Sequence, residues 1–183
     1  MKLNRKNNIL KTLKLLKDSY FLITLHRPET VDDPVKFKKL ILIFEKLGKK
    51  FNKRFIFPTH PRTKKMIKKM DINRLNFIEF IDPLEFLDFL SLMKNSKIVF
   101  TDSGGVQEET SLLGVPCITI RKSTERQLTI KEKTNILTGY DYNKICNAII
   151  YFNKNKIKAS KIFGDGNVAN KIFDKLKTIY KHN

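Results

Sequence analysis

Tryptophan is absent from this chain, and cysteine occurs only twice, as Cys117 and Cys146. Both lie in apolar patterns, and no CxxC pair or Cys/His cluster offers metal-ligand spacing. Two free, buried thiols and no metal are therefore expected. Long hydrophobic runs are missing as well. The longest, such as Phe21 to Leu25 and Ile78 to Ile81, are strand-sized, whereas a membrane span needs about 20 apolar residues. The N-terminal MKLNRKNNILKTLKLLKDSY lacks the uninterrupted apolar core of a secretory signal. A cytoplasmic protein with no membrane association is the expectation. Acidic residues are scarce too: 18 Asp and Glu stand against 37 Lys and Arg, a formal charge of +19. Clustered cations would gain affinity for phosphates by displacing counterions. Here the lysines are spread along the whole chain, arginines are few, and no stacking aromatics sit between the cations. A solvated basic surface follows, with no nucleic-acid partner.

What the chain does contain is one domain's worth of alternating pattern. At 183 residues it can bury a core. Residues 1–19 read as a helical lead-in, with Ile9, Leu10, Leu13 and Leu16 at helical spacing and little to stop fraying. Residues 20–183 form the domain proper. Short β-rich runs at 20–25, 54–58, 76–79, 97–101, 116–120 and 135–137 alternate with helical stretches at 33–50, 62–70, 83–94, 104–113, 125–131, 141–152 and 168–181. Asp82-Pro83 is read as a helix start, Gly48 as lying near a helix end and Gly114 as a helix terminator. Such alternation predicts a Rossmann-like parallel sheet with helices on both faces. In such sheets ligands bind beyond the carboxyl ends of the strands.

Four loops at that edge hold most of the unusual residues. Thr101-Asp102-Ser103-Gly104-Gly105-Val106-Gln107-Glu108-Glu109 turns from a strand end through two glycines into a helix. Glycines there let a ligand approach the backbone, and free N–H groups at the positive end of the helix dipole favour phosphate. Ser103 adds a hydroxyl donor, and Glu109 offers two acceptor oxygens to the vicinal hydroxyls of a ribose. Read alone, the element is equally a tight βα turn with a solvated acidic first turn. His26 and Arg27 follow the first strand, His60 and Arg62 the second, and Arg121-Lys122-Ser123-Thr124-Glu125-Arg126 the fifth. Any one basic loop is ordinarily surface. Four converging on one sheet edge point to a polyanionic small ligand.

Taken in order, LITLHRPE, FPTH, DPLEFLDF, TDSGGVQEE, LGVPCITIRKSTER, TNILTG and GDGNVANKI resemble the second half of the non-hydrolysing UDP-N-acetylglucosamine 2-epimerases. The resemblance implies the C-terminal half of a GT-B-type two-domain fold, with UDP held mainly by this half. Position by position, Ser103, Gly104 and Gly105 resemble the diphosphate turn and Glu109 the ribose carboxylate. Phe89 is similar to an aromatic beside the uracil, and Arg126 to a nucleotide-binding arginine. His26 corresponds to a catalytic histidine near the departing UDP, while Arg27 and His60 resemble residues of a second, regulatory UDP-sugar site. Leu84 stands where many relatives carry a polar residue near the base, and Thr30 replaces a common Asn. The implied reaction interconverts UDP-N-acetylglucosamine and UDP-N-acetylmannosamine by eliminating and re-adding UDP, and it asks for no cofactor.

The family draws its acidic catalytic candidates from an N-terminal domain, and Met1 begins only about 20 residues before the first strand expected here. The resemblance therefore implies a UDP-binding half that is inactive without an N-terminal domain or separate subunit, with a homodimer as a further expectation. The alternatives are a UDP-sugar-binding module without catalysis and a GT-B glycosyltransferase-like domain. A last helix near 168–181, packing back toward the first domain, would leave Val168, Ile172, Phe173, Leu176 and Ile179 partly exposed in a solitary half.

Overall fold

The computed structural model describes residues 9–70 and 75–180. Six strands form one sheet: β1 (Tyr20–Thr24), β2 (Arg54–Pro58), β3 (Ile78–Ile81), β4 (Ile98–Thr101), β5 (Cys117–Thr119) and β6 (Asn135–Leu137). Every neighbouring pair is parallel, and the order is β3-β2-β1-β4-β5-β6. Parallel strands covered on both faces need apolar side chains in both directions. The run of fully buried residues Ile98–Thr101 in the centre of the sheet meets that need.

The nine helices of the described residues are α1 (Ile9–Thr12), α2 (Pro28–Val31), α3 (Pro34–Phe51), α4 (Pro61–Lys69), α5 (Phe86–Asn95), α6 (Gly104–Leu113), α7 (Gln127–Lys131), α8 (Tyr142–Lys154) and α9 (Val168–Tyr180). Because strand side chains alternate, β1 sends Phe21 and Ile23 to one face and Tyr20 and Leu22 to the other. The first face is packed by α3 and α8 through Phe37, Phe44, Leu47, Ile145 and Ile149. At its centre Phe21, Phe44, Phe55 and Phe100 meet with ring centroids 5.0 to 5.5 Å apart, tilted or edge-on. Each such pair adds about 0.5–1.5 kcal/mol beyond its buried area. The second face is covered by α5 and α6 through Leu92, Met93 and Val106, and the buried Tyr20 hydroxyl donates to the Leu92 carbonyl at 2.6 Å.

Several local expectations are corrected. Of the helical lead-in, residues 1–8 lie outside the described residues, and the rest is helical only over Ile9–Thr12. Lys14 and Asp18 then take positive φ and turn the chain. This brings Leu15 into the core, while Leu16 is left 76% exposed. Asp82-Pro83 does not begin a helix; residues 82–85 carry no regular structure, and α5 starts at Phe86. Gly48 does lie near the end of α3, as expected, and Phe77 crosses it so closely that a Cβ would stand 2.3 Å from the Phe77 Cβ. A single-turn helix, α2, was not foreseen in the loop after β1.

Other expectations hold. Gly114 closes α6 in the left-handed conformation (φ 69°). Cys117 and Cys146 are buried and free, and burial pushes the Cys117 thiol up to about 12. Helix α9 buries none of its residues, and Val168, Ile172, Phe173, Leu176 and Ile179 are each 46% exposed or more. The last residue of the expected helix, Lys181, lies outside the described residues. Among the described residues no helix is long and apolar enough to cross a membrane.

Candidate functional site

Parallel pairing throughout sends the loops after β1, β2, β4 and β5 off the same edge of the sheet. The chain runs outward from β1 to β3 and then crosses back to place β4 on the other side of β1. At such a reversal the two flanking loops part and leave a crevice. His26 leaves β1 and Ser103 leaves β4 at this point.

Asp102, fully buried, joins the two loops. Its carboxylate accepts the backbone N–H of His26 at 3.2 Å and of Arg27 at 3.0 Å, and the His26 Nδ1 lies 3.4 Å from Oδ1. The His26 side chain is half exposed. The Arg27 guanidinium turns aside to pair with Glu29 at 3.5 Å.

The turn after Asp102 is the N-terminus of α6, with Ser103 as N-cap. An N-cap serine ordinarily accepts from an N–H of the first turn. Here the Ser103 hydroxyl makes no such bond, so the first N–H groups of α6 remain directed out of the helix. Neither Gly104 nor Gly105 has a positive φ. A Cβ on Gly105 would meet only the Ser103 hydroxyl, at 4.0 Å, and one on Gly104 would meet the Arg126 guanidinium at 3.6 Å, an ordinary contact. Among the described residues nothing thus requires glycine at either position, although alanine suits a helix better by about 1 kcal/mol.

The loop after β5 closes on this turn. Arg126 pairs with Glu108 of α6, beside Gly104. Arg121 grips Glu125 with two bonds of 3.0 Å, which, with the Glu125 backbone bond, hold that carboxyl down at about 2. Glu109, one residue beyond Glu108, is partly buried. Burial first, and the Glu108 charge second, raise its carboxyl above the usual range. Phe89 and Leu84 pack partly buried against the cluster that includes Val106 of α6.

The structure therefore brings Ser103, Gly104, Gly105 and Arg126 together, with Glu109 further along the same helix and His26 joined to the turn through Asp102. His60 stands exposed at the start of α4, at the end of β2 and away from the reversal; the Arg62 side chain lies outside the described residues. Asp102, Gln107, Glu108 and Thr124 were not singled out from the sequence. Their only signal there was membership of the same two motifs. Among the described residues no group of three or more His, Cys, Asp or Glu side chains is placed to hold a metal ion.

A parallel sheet in this order, with a glycine turn at its reversal, defines a Rossmann-like α/β domain of the kind that makes one half of a GT-B fold. A family model described as UDP-N-acetylglucosamine 2-epimerase matches residues 1–177. The chain belongs to that family. It is 41% identical over 170 residues to the UDP-N-acetylglucosamine 2-epimerase of Methanococcus maripaludis, covering 87% of this chain and 46% of the relative. The structure of the Methanocaldococcus jannaschii UDP-GlcNAc 2-epimerase in complex with UDP-GlcNAc and UDP superposes with a TM-score of 0.84 at 36% identity, covering 96% of this chain and 49% of that one. The Neisseria meningitidis enzyme bound to UDP-GlcNAc gives 0.79 at 28% identity, covering 94% and 49%. The chain thus spans about half the length of the relatives it matches.

Proposed function

We propose that this chain is the UDP-binding half of a cytoplasmic UDP-N-acetylglucosamine 2-epimerase, acting on a UDP-sugar together with an N-terminal domain or subunit. The observation that carries the reading is the pair Gly104 and Gly105, whose missing side chains leave space that no described atom fills. Space kept beside exposed helix N–H groups suits a diphosphate brought against the backbone. Ser103 donates its hydroxyl to the same phosphates, and Arg126 neutralises them. Glu109, about one turn along α6, accepts from the ribose hydroxyls, and Phe89 lies beside the uracil. Leu84 offers the base no polar contact, so the phosphates and ribose carry most of the recognition.

In the reaction a base removes the C2 proton while the C1–O bond to UDP breaks. UDP then adds back after the proton has been replaced on the opposite face. The scheme is redox-neutral and calls for no cofactor. His26 stands at the crevice to assist departure of the diphosphate, as a donor to its developing charge. The acid and base over C2 come from the N-terminal domain, which packs on the apolar face of α9. Arg27 and His60 contribute to a second, regulatory UDP-sugar site, and the complete enzyme is a homodimer.

Calorimetric titration of the chain with UDP tests the binding reading. An NMR assay for exchange of the C2 proton of UDP-N-acetylglucosamine in D2O tests the chemistry. Binding without exchange is the expected result for this half alone. Exchange by the chain alone would place the base within it. Absence of UDP binding would remove the reading, while binding that stays silent when an N-terminal half is supplied would favour a UDP-sugar-binding module.

A further inference from the structure

Gln107 is assigned no contact with UDP above, yet it is fully buried between the two loops that carry Ser103 and Arg126. Its amide nitrogen donates to the Ser103 carbonyl at 3.1 Å. Its amide oxygen accepts from the Thr124 hydroxyl at 2.6 Å and from the Asn135 amide at 3.1 Å. The remaining bonds of this net lead to Arg126. Thr124 Oγ1 accepts the Arg126 N–H at 3.0 Å, while the Thr129 hydroxyl, which accepts from Asn135 at 3.1 Å, donates to the Arg126 carbonyl at 2.7 Å. Both polar groups of the Arg126 backbone therefore end in one buried net whose centre is a side chain of α6.

The directions of these bonds are mutually consistent, since Thr119 donates to the Asn135 oxygen at 2.8 Å and so turns the Asn135 amide toward Gln107. A buried net of this kind rigidifies only when every member is satisfied. Packing alone would be served as well by leucine at 107, which has similar bulk. What leucine could not do is join the carbonyl of Ser103 to the loop that carries Arg126. A guanidinium and a row of N–H groups grip one anion well only when their separation is set beforehand, because ordering a loop at binding consumes part of the affinity.

We propose that Gln107 is a positioning residue that sets the Arg126 guanidinium against the Ser103-Gly104-Gly105 turn, so that both close on one diphosphate. Glu108, the next residue, steadies the same arginine at its side chain. Helix α6 thus holds Arg126 twice, at the backbone through Gln107 and at the guanidinium through Glu108. The proposal rests on the UDP reading for its ligand and on the hydrogen-bond net for its geometry.

The test is a double-mutant cycle on the full chain, with UDP as probe. Gln107→Leu should weaken UDP binding about tenfold with Arg126 present and less than about twofold in an Arg126→Ala background. Thr124→Val, which cuts the same path and preserves volume, should follow Gln107→Leu, and Thr124→Ser should restore affinity. If Gln107→Leu does not fold, the Thr124 pair runs the same cycle. An equal loss in both backgrounds, or full affinity in the single variants, overturns the proposal. Should the wild-type chain bind no UDP, the nucleotide reading falls, and exchange of the Arg126 backbone amide decides the clamp alone. Faster exchange there in Gln107→Leu, with core amides of α3 unchanged, sustains it; unchanged protection overturns it.

Discussion

Asp102 accepts the backbone N–H of Arg27 at 3.0 Å, binding together two loops that are 75 residues apart in sequence. A second bond runs to the His26 N–H. β1 and β4 are neighbours through the reversal of strand order, so these bonds tie together the two loops that flank the crevice at the carboxyl edge. Replacing Asp102 by alanine leaves two partly buried N–H groups without their acceptor, each worth about 1–3 kcal/mol when charge-assisted. Asp102→Ala should therefore lose about 2–6 kcal/mol in urea unfolding, and Asp102→Asn, which keeps one acceptor oxygen, about half as much. Wild-type stability in the alanine variant would show that the loops are held by something else.

The glycines of the turn give an unusual expectation, because stability and binding should move in opposite directions. Gly105 has no positive φ and open space where a side chain would go. Gly105→Ala should raise stability by about 0.5–1 kcal/mol, through helix propensity and a less flexible unfolded chain. The same methyl group occupies the approach to the helix N–H groups and should cut UDP affinity roughly tenfold or more. Thermal unfolding and calorimetry on one preparation read both effects. Unimpaired UDP binding in a stabilised variant would mean that the diphosphate does not approach this turn.

Glu109 should make UDP binding depend on pH. Burial, then Glu108, raises its folded-state carboxyl above the ordinary value. The folded protein accordingly takes up this proton more readily than the unfolded chain. Its favourable contribution to stability is present at low pH and is lost as pH rises from the ordinary carboxylate value through the raised one. Binding runs the other way, because the ionised form is the stronger acceptor for ribose hydroxyls. UDP affinity should fall as pH drops through the raised value, more steeply in the wild type than in Glu109→Gln, and comparing the two cancels the titration of UDP itself. Glu108→Gln should shift the fall to lower pH. At neutral pH Glu109→Ala should weaken binding by about 1–3 kcal/mol. Parallel pH curves for wild type and Glu109→Gln would remove Glu109 from the ribose.

The six strands were legible because parallel strands buried on both faces produce short apolar runs, such as those around Phe21, Phe55 and Phe100, and helices between them produce a different period. The turn from strand into helix at Ser103, Gly104 and Gly105 was legible because its signal is local, a strand end followed by two glycines and a helical pattern. Asp102, Gln107 and Thr124 were not, since each matters through partners in other elements. Gln107 reaches 17 residues to Thr124 and 28 to Asn135, and Asp102 reaches 76 to His26. An isolated buried Gln or Asp carries no period and no motif of its own. The early turn at Lys14, which substitutes Leu15 for Leu16 in the core, was hidden for a related reason. Helical spacing marks which residues would share a face if the helix continued, not whether tertiary packing lets it.

Gly48 tests how far packing overrides propensity. It sits within α3, where alanine would gain about 1 kcal/mol of helix propensity. The added Cβ would stand 2.3 Å from the Phe77 Cβ and 3.1 Å from the Lys53 carbonyl oxygen. Phe77 is not free to withdraw. Its carbonyl accepts from Phe55 at 2.6 Å and its N–H donates to Glu45 at 3.1 Å, which fixes the segment entering β3 against α3. Overpacking of this kind costs about 1–3 kcal/mol, so the clash outweighs the propensity gain. Gly48→Ala should lower the urea midpoint by the equivalent of about 1–2 kcal/mol, with UDP affinity unchanged because α3 lies away from the glycine turn. A gain in stability would show that the segment before β3 shifts aside, and loss of β3 pairing protection in hydrogen exchange would then locate the movement.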